Sequence, residues 1–545
     1  MPPRVSPEIA TKDFDLIVIG AGINGAGIAR DASMRGLNVL LLDKGDIGGG
    51  TTSWSTRLIH GGLRYLEHGE VRLVRESLRE RETLQRIAPH LIRPLKFLLP
   101  CYHNSRRGWW TIHAGLAAYD LLCLDKSLSR HEMLSPDITL ARAPGLNPTG
   151  LLGAAFYHDM QVEFPERLTL ENVLAAKELG ATIITYARVR RLLIENGKVV
   201  GVEFTDELEE GIYSVHGEIV VNASGPWVDQ LLANAPQLSD RLIGGTKGSH
   251  LVVAPFPGAP PDALYVEARS DNRPFFIIPW NGNYLIGTTD IRYEGDLDHV
   301  EIDEEEIDFL LNETNQVIPK AKLTRDSILY TYSGVRPLAY TKATDEQRIT
   351  RRHFIRKHPD LDGLISIVGG KLTTYRSLAE QTVDLILRLQ KRPVRRCRTG
   401  EIPLPGAQVK NFPAYAREFV KKGSLPESIL ERLLRIYGTR TPEVVKLACE
   451  DPELGETFSS GTGAIAAEVV FAFKHELAQT LMDCLLRRTM VGLSASAGIG
   501  EDEAAARICQ RHLGWSQSRA AEEVIAYRDF IKRFHPTKYD TACDT

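Results

Sequence analysis

The chain has 545 residues, 43% hydrophobic and 25% charged, with a formal net charge of −4. That length exceeds one compact core and predicts two or three domains. The composition is that of a soluble globular protein, and the charge gives no global electrostatic case for nucleic acid. The 7 cysteines form no C-x-x-C pair and no metal-type spacing, which fits a reducing compartment, argues against a disulfide framework and predicts no metal site. No run of about 18 apolar residues offers a membrane span, and residues 1–14 lack the basic and apolar regions of a secretory signal. The expectation is a cytoplasmic protein that associates peripherally with a membrane.

Asp15–Ile19 has the length and Ile/Val content of a buried parallel strand. Gly20, Gly22 and Gly25 follow as G-x-G-x-x-G. The first glycine permits a tight turn, the second lets the backbone approach a pyrophosphate, and the third lets a helix lie close on the strand. The helix start at Ile23 and Asn24 presents free N–H groups and a positive dipole end to phosphates. Asn38–Leu42 is a second strand, and Asp43 at its end, beside Lys44, can accept from ribose hydroxyls. This βαβ unit of about 30 residues reads as a dinucleotide site, for NAD or FAD rather than NADP. The stretch from Asp43 to Gly62 is rich in Gly, Ser and Thr, so amides and the Ser53–Thr56 hydroxyls can reach a ligand. His60, Gly61, Gly62, Arg64 and Tyr65 lie in or just after it. From Val71 an Arg/Glu-laced helix carries Leu73, Leu78 and Leu84 on an apolar stripe, its charges reading as a solvated face.

With SWSTRLIHGGLRYLE after a G-x-G-x-x-G strand, the chain resembles the FAD-dependent glycerol-3-phosphate dehydrogenases, flavoproteins of the D-amino-acid-oxidase-like superfamily. Further along, Arg106, Arg107, Trp109 and Trp110 precede an apolar helical run. It reads either as an interfacial element at a lipid surface or, with more weight, as a buried helix with polar ends. Ser135–Pro148 reads as a Pro-rich loop and Phe164–Leu179 as a helix. Three strands follow, with Asn196–Gly197 as a hairpin turn, and then a strand whose small-residue end, Ala223 to Pro226 including Gly225, lets the backbone approach a cofactor. Ile243–Pro255 and the two strands of Phe275–Asp290 read as an antiparallel substrate-domain sheet covering one face of the flavin. Asp303–Asn315 reads as a helix with solvated acidic charges. Tyr330–Pro337 puts Arg336 in a turn, and Leu364–Ile386 is strand, Gly369–Gly370, then helix. That helix start can aim its positive end at the flavin pyrimidine oxygen. Lys391–Arg398 is a basic linker. Beyond it, Phe473, Leu477, Leu481 and Leu485 mark the core stripe of one amphipathic helix, with Phe471 and Met482 as packing.

The expected architecture is α/β: a Rossmann-like FAD-binding domain with an inserted antiparallel-sheet substrate domain over residues 13–395, and a C-terminal α-helical domain over 405–530. The FAD-binding parts are expected at about 13–90, 150–245 and 330–390, and the substrate parts at about 91–149 and 246–329. The resemblance also rests on GAGINGAGIARD, NASGPWV, KGSH, GTTD, YSGVRP, GGKLTTYR and the RRT helix, in the family's order. It implies FAD, oxidation of sn-glycerol 3-phosphate to dihydroxyacetone phosphate, and electron delivery to a membrane quinone. A homo-oligomer is compatible with it.

Oxidation of a secondary alcohol needs a hydride acceptor and a base. His250 is the first candidate base and His60 the second. A phosphate dianion calls for fixed cations. Arg336, Arg64 and Lys371, with Tyr65 and Thr289, are expected around substrate, and Arg336 and Lys371 also count among the catalytic set. FAD is expected against Gly20, Gly22, Ile23, Asn24, Gly25, Asp43 and Lys44 at its adenosine end. Ser53, Thr56, His60, Gly61, Ala223, Gly225, Gly370, Leu372 and Thr373 complete the expected contacts. The competing readings are a glycerol-3-phosphate oxidase that reduces oxygen, an amino-acid or hydroxy-acid oxidase of the same superfamily, and a non-catalytic flavin-binding chaperone.

Overall fold

The computed structural model describes residues 5–123, 127–233, 235, 240–341 and 350–535. Five parallel strands run in the order Leu364–Val368, Ile212–Asn222, Asp13–Ile19, Val39–Leu42, Thr182–Ile184. Phe354–Lys357 closes one edge antiparallel. The hairpin Ala187–Glu195/Lys198–Asp206 attaches antiparallel to the start of Ile212–Asn222. Alternate side chains of the first strand serve two cores. Leu16 and Val18 pack on the helices Ile23–Met34, Pro165–Glu178 and Tyr375–Leu389, whereas Phe14, Ile17 and Ile19 pack on the hairpin side. Both faces are covered, which is why the strand reads as a continuous apolar run.

The second sheet is mostly antiparallel, in the order Ile291–Arg292, Thr246–Val253, Asn283–Gly287, Pro274–Trp280, Ala263–Glu267, Ile92–Tyr102, Leu151–Val162, Leu58–Ile59. Ile328–Arg336 pairs along Thr246–Val253. Leu151–Val162 and Ile328–Arg336 therefore run in the substrate-side sheet, although they fall in the ranges 150–245 and 330–390 assigned to FAD binding. The reason is pairing. Leu151–Val162 matches Ile92–Tyr102 from Ile92↔Val162 to Tyr102↔Leu151, a ladder that outweighs its closeness in sequence to the next helix.

Other local expectations change for identifiable reasons. Residues 135–148 contain a helix, Pro136–Arg142, because Ser135 caps it and proline suits its first turn. Arg336 ends a strand rather than sitting in a turn, and His250 lies inside a strand. On the acidic helix Glu304–Val317, Glu306 and Glu313 are buried, Glu306 against Lys247 and Glu313 under the amides of Arg269 and Ser270. Glu80 and Arg81 are likewise buried on Val71–Ile87. The stripe from Phe473 to Leu485 does not belong to one helix. Ala466–His475 ends before Glu476, which is buried between Arg167 and Arg440. Leu477 takes φ +61°, and the chain restarts at a Thr480 cap and widens into a π-type turn over Cys484–Arg488.

The helices Phe412–Lys422, Glu427–Tyr437, Thr441–Glu450, Ala466–His475, Glu501–Leu513 and Gln517–Ile531 form the C-terminal region. The last five share one apolar core with the second sheet, Leu433, Val470 and Tyr527 joining Trp280, Tyr330 and Tyr332. Among the described residues, no helix is long and apolar enough to cross a membrane.

Candidate active site

A cavity of about 800 Å³ runs between the two sheets, from the Gly20 turn to His250 and Arg336. Such a volume suits a large cofactor with a small substrate. At its first end Gly20 adopts φ +102°, and a Cβ there would lie 2.7 Å from the Ala223 carbonyl oxygen. The Ile23 amide donates to Thr52 Oγ1 at 3.1 Å, and the first helical bond runs from Ala26 N–H to the Gly22 carbonyl. The amides of Asn24 and Gly25 are therefore left at the positive end of the helix without helical acceptors. Asp43 accepts the Ala21 amide at 2.6 Å and the Gly45 amide at 2.9 Å, and its half-buried carboxylate lines the cavity. Lys44 Nζ stands 4.0 Å over the Trp227 ring and pairs with Asp298. Two buried polar atoms of this wall, Asn24 Oδ1 and Trp227 Nε1, have no hydrogen-bond partner among the described residues, and a Cβ on Gly225 would meet no described residue beyond its chain neighbours within 4 Å. Glycine-rich backbone, a free helix end, a ribose-type carboxylate and unpaired donor and acceptor atoms fit the ADP half of FAD.

Of the residues expected to hold FAD, Gly20, Gly22, Ile23, Asn24, Asp43, Lys44, Thr56 and His60 line this cavity, as do Ala223, Gly225, Gly370, Leu372 and Thr373. Gly25, Ser53 and Gly61 stand behind the wall. A Cβ on Gly25 would lie 1.8 Å from the Gly20 carbonyl oxygen, so its service is helix packing. Ser53 Oγ donates to the Gly48 carbonyl at 2.8 Å and braces the loop. Gly61 packs on Tyr119. Thr289, expected near substrate, is buried: its hydroxyl accepts the Ser249 amide at 2.9 Å and donates to Glu306, and its carbonyl accepts from Arg336 at 3.2 Å.

The other end of the cavity collects cations. Arg336 donates to Asp290 Oδ1 at 3.1 Å and Thr288 Oγ1 at 2.9 Å, and Arg351 takes the second Asp290 oxygen at 2.7 Å. Burial pushes the Asp290 carboxyl up, but Arg336 and Arg351 outweigh it and leave it below its usual range. Arg64 makes no hydrogen bond or ion pair with any described residue, and its charge weighs on Asp290 and Arg336. Lys371 Nζ donates to Ser77 Oγ at 2.8 Å and sits 4.5 Å over the Tyr65 ring, while burial lowers its pKa. Tyr65 can fold back there because Gly62, at φ +81°, has no Cβ to strike the ring. Arg64, Arg336, Arg351 and Lys371 thus face one part of the cavity.

Two histidines border these cations in different states. His250 is buried, its Nε2 is 3.0 Å from Thr56 Oγ1, its ring stacks on Tyr332 at 4.8 Å, and its Nδ1 has no hydrogen-bond partner among the described residues. Burial, then Arg336 and Arg57, holds it well below the usual histidine range. His60 is only part-buried, lines the cavity, and its ring has no hydrogen-bond partner among the described residues. Burial, then Lys371, Arg64 and Arg81, pushes it down to about 3. Both imidazoles are neutral at pH 7 and can accept a proton.

Arg351, Asp159, Arg487 and Phe534 also line the cavity and were not singled out from sequence. Arg351 lies in the basic run RRHFIRKH, where nothing in the pattern separates a pocket arginine from a surface one. Met482, read as packing, reaches the cavity wall.

Two family models cover nearly the whole chain: FAD dependent oxidoreductase matches residues 15–385, and the C-terminal domain of alpha-glycerophosphate oxidase matches 397–520. A glycerol-3-phosphate dehydrogenase of Synechocystis sp. is 45% identical over 97% of this chain and 98% of its own. The aerobic glycerol-3-phosphate dehydrogenase of Bacillus subtilis is 34% identical over 89% of this chain and 88% of its own. The solved structure of the glycerol-3-phosphate dehydrogenase from Bacillus halodurans, complexed with FAD, aligns with a TM-score of 0.80 and 30% identity over 97% of this chain and 96% of that one. Dinucleotide cradle, cation cluster and full-length likeness converge: the chain belongs to the family of FAD-dependent glycerol-3-phosphate dehydrogenases.

Proposed function

We propose that this enzyme oxidises sn-glycerol 3-phosphate to dihydroxyacetone phosphate and passes the electrons to a membrane quinone. The observation that carries the substrate is the convergence of Arg64, Arg336, Arg351 and Lys371 at one end of the cofactor cavity, a set suited to a phosphate dianion. Bound FAD supplies a ring that accepts a hydride, which leaves the proton of the substrate hydroxyl for the protein to remove. We assign this proton to His60, which lines the cavity and feels the charges of Lys371 and Arg64. Burial first, and then the cations, keep His60 neutral; an arriving phosphate offsets the cations and strengthens it as a base. His250 also lines the cavity, but its Nε2 is engaged by Thr56 Oγ1 at 3.0 Å, so we assign it the orientation of that hydroxyl on the cavity wall.

Anaerobic glycerol 3-phosphate is expected to bleach the flavin of the purified protein; glycine or lactate bleaching it instead would sink the substrate assignment. His60→Gln should slow that bleaching by about 10²–10⁴-fold with little change in substrate affinity, and His250→Gln by much less. The opposite order would return the base to His250.

The acceptor reading is supported on the outer surface. The helix Trp109–Leu122 exposes Trp110 at 76% and Leu121 at 72%, apolar side chains suited to a lipid boundary. Arg107 is tied to Glu67 and Glu267 and so belongs to the protein's own ion pairs. Reoxidation of the reduced enzyme in stopped flow decides the acceptor: faster return with a soluble quinone than with oxygen is expected, and rapid return with oxygen alone would make it an oxidase.

A further inference from the structure

We propose that Tyr119, Asp159 and Arg81 form a positioning device for His60, a role that rests on the assignment of His60 as proton acceptor. The Gly61 amide donates to Tyr119 Oη at 2.8 Å, Tyr119 donates to Asp159 Oδ2 at 2.6 Å, and Arg81 donates to Asp159 Oδ1 at 2.8 Å. The three side chains come from separate elements, Trp109–Leu122, Leu151–Val162 and Val71–Ile87, and converge on the single peptide that follows His60. All three are at most 3% exposed. A buried ion pair is weak support for stability, because well-packed apolar side chains of the same volume hold a fold as well. What it supplies is direction: a fully paired polar chain has one geometry.

Gly61 gives independent support. A Cβ at this position would lie 2.4 Å from Tyr119 Oη and 2.7 Å from Leu78. Only glycine lets the hydroxyl reach the amide, so the first glycine of HGG serves the tyrosine and not the cofactor. On the other side, the His60 amide donates to Thr373 Oγ1 at 3.2 Å. His60 is thus pinned at both flanking peptides, by the helix start at Thr373 before it and by Tyr119 after it. Asp159 also lines the cavity and, after Tyr65, supports the charge of Lys371. One carboxylate therefore steadies the base through Tyr119 and the phosphate cation through space.

Tyr119 and Arg81 act through His60 and Asp159, so the test asks whether their effect disappears when His60 is gone. Flavin reduction by glycerol 3-phosphate is followed anaerobically in stopped flow for wild type, Tyr119→Phe, His60→Gln and the double variant. The expected result is a maximal reduction rate about tenfold lower in Tyr119→Phe, with the substrate dissociation constant within about threefold of wild type. Adding Tyr119→Phe to His60→Gln should change the rate by less than about twofold, the non-additivity of groups acting as a unit. An equal loss in both backgrounds, or none in either, overturns the proposal. If Tyr119→Phe does not retain FAD, Arg81→Lys in the same two backgrounds is judged on the same rates. A wild-type flavin that glycerol 3-phosphate leaves oxidised would overturn the functional assignment instead.

Discussion

Arg336→Ala should raise the KM for glycerol 3-phosphate by about two orders of magnitude while FAD stays bound. The guanidinium sits at the end of a strand, held by Asp290, Thr288 and the Thr289 carbonyl, so on the proposed assignment it would meet a phosphate already oriented. Hydrogen bonds to charged groups contribute about 1.5–3 kcal/mol each, and about 1.4 kcal/mol is tenfold in affinity. Removing the side chain also leaves Asp290 with Arg351 as its ion-pair partner among the described residues and turns a less fully neutralised carboxylate toward an incoming dianion. Arg336→Lys should recover part of the loss, because it restores the charge without the planar fork. Steady-state KM together with the flavin content of the purified protein checks this. Loss of FAD with KM unchanged would make Arg336 a cofactor ligand.

The second large effect lies away from the chemistry. Asp46 follows the ribose-side Asp43, and it is wholly buried beneath two arginines of the C-terminal region. Arg488 forks onto it at 2.7 and 2.9 Å, and Arg487 reaches it at 2.5 Å while also holding Asp483 at 2.9 Å. Burial pushes the Asp46 carboxyl up, and Arg488 and Arg487 outweigh burial and hold it below its usual range. A carboxyl with a depressed folded-state pKa stabilises the fold above its unfolded pKa, and that contribution is lost as the pH falls through the folded value. Arg488→Met leaves Asp46 with Arg487 and should therefore cost roughly 3 kcal/mol near neutral pH, the lower end of the penalty for breaking a buried ion pair. The cost should shrink as acid protonates Asp46 in the wild type. Thermal midpoints of both proteins across a pH series would show it, and a difference that does not narrow in acid would remove Asp46 as the partner that matters.

How much of this was legible beforehand follows from the range of the interactions. The Gly20–Asp43 unit could be read in full because its parts are contiguous and each glycine answers a local steric demand. Arg336, Arg64, Tyr65 and Lys371 were found because the motifs around them are distinctive, and the structure brings them to one cavity. What escaped were relations across the fold. The opposition of Asp290 to both Arg336 and Arg351 spans 46 and 61 positions. Tyr119 lies in a helix whose sequence speaks only of its apolar surface, yet its one polar atom faces inward. The C-terminal stripe misled because its i, i+4 spacing is real, but Glu476 in its middle has to be buried against Arg167 and Arg440, and no helix continues through that corner. Periodicity reports which face is apolar and is silent on which buried charge will interrupt it.

The Asp46 cluster has one further implication. The two stretches matched by separate family models meet at this carboxylate, so attachment of the C-terminal helices and occupation of the adenosine end of the cavity share a structural element. Two binding events coupled through one element must affect each other equally. By whatever factor the docked helices tighten FAD, bound FAD tightens their docking by the same factor. Where that factor exceeds one, the flavin is a clasp between two parts of the chain as well as the redox group, and an enzyme stripped of it should release its C-terminal helices more readily than the loaded one.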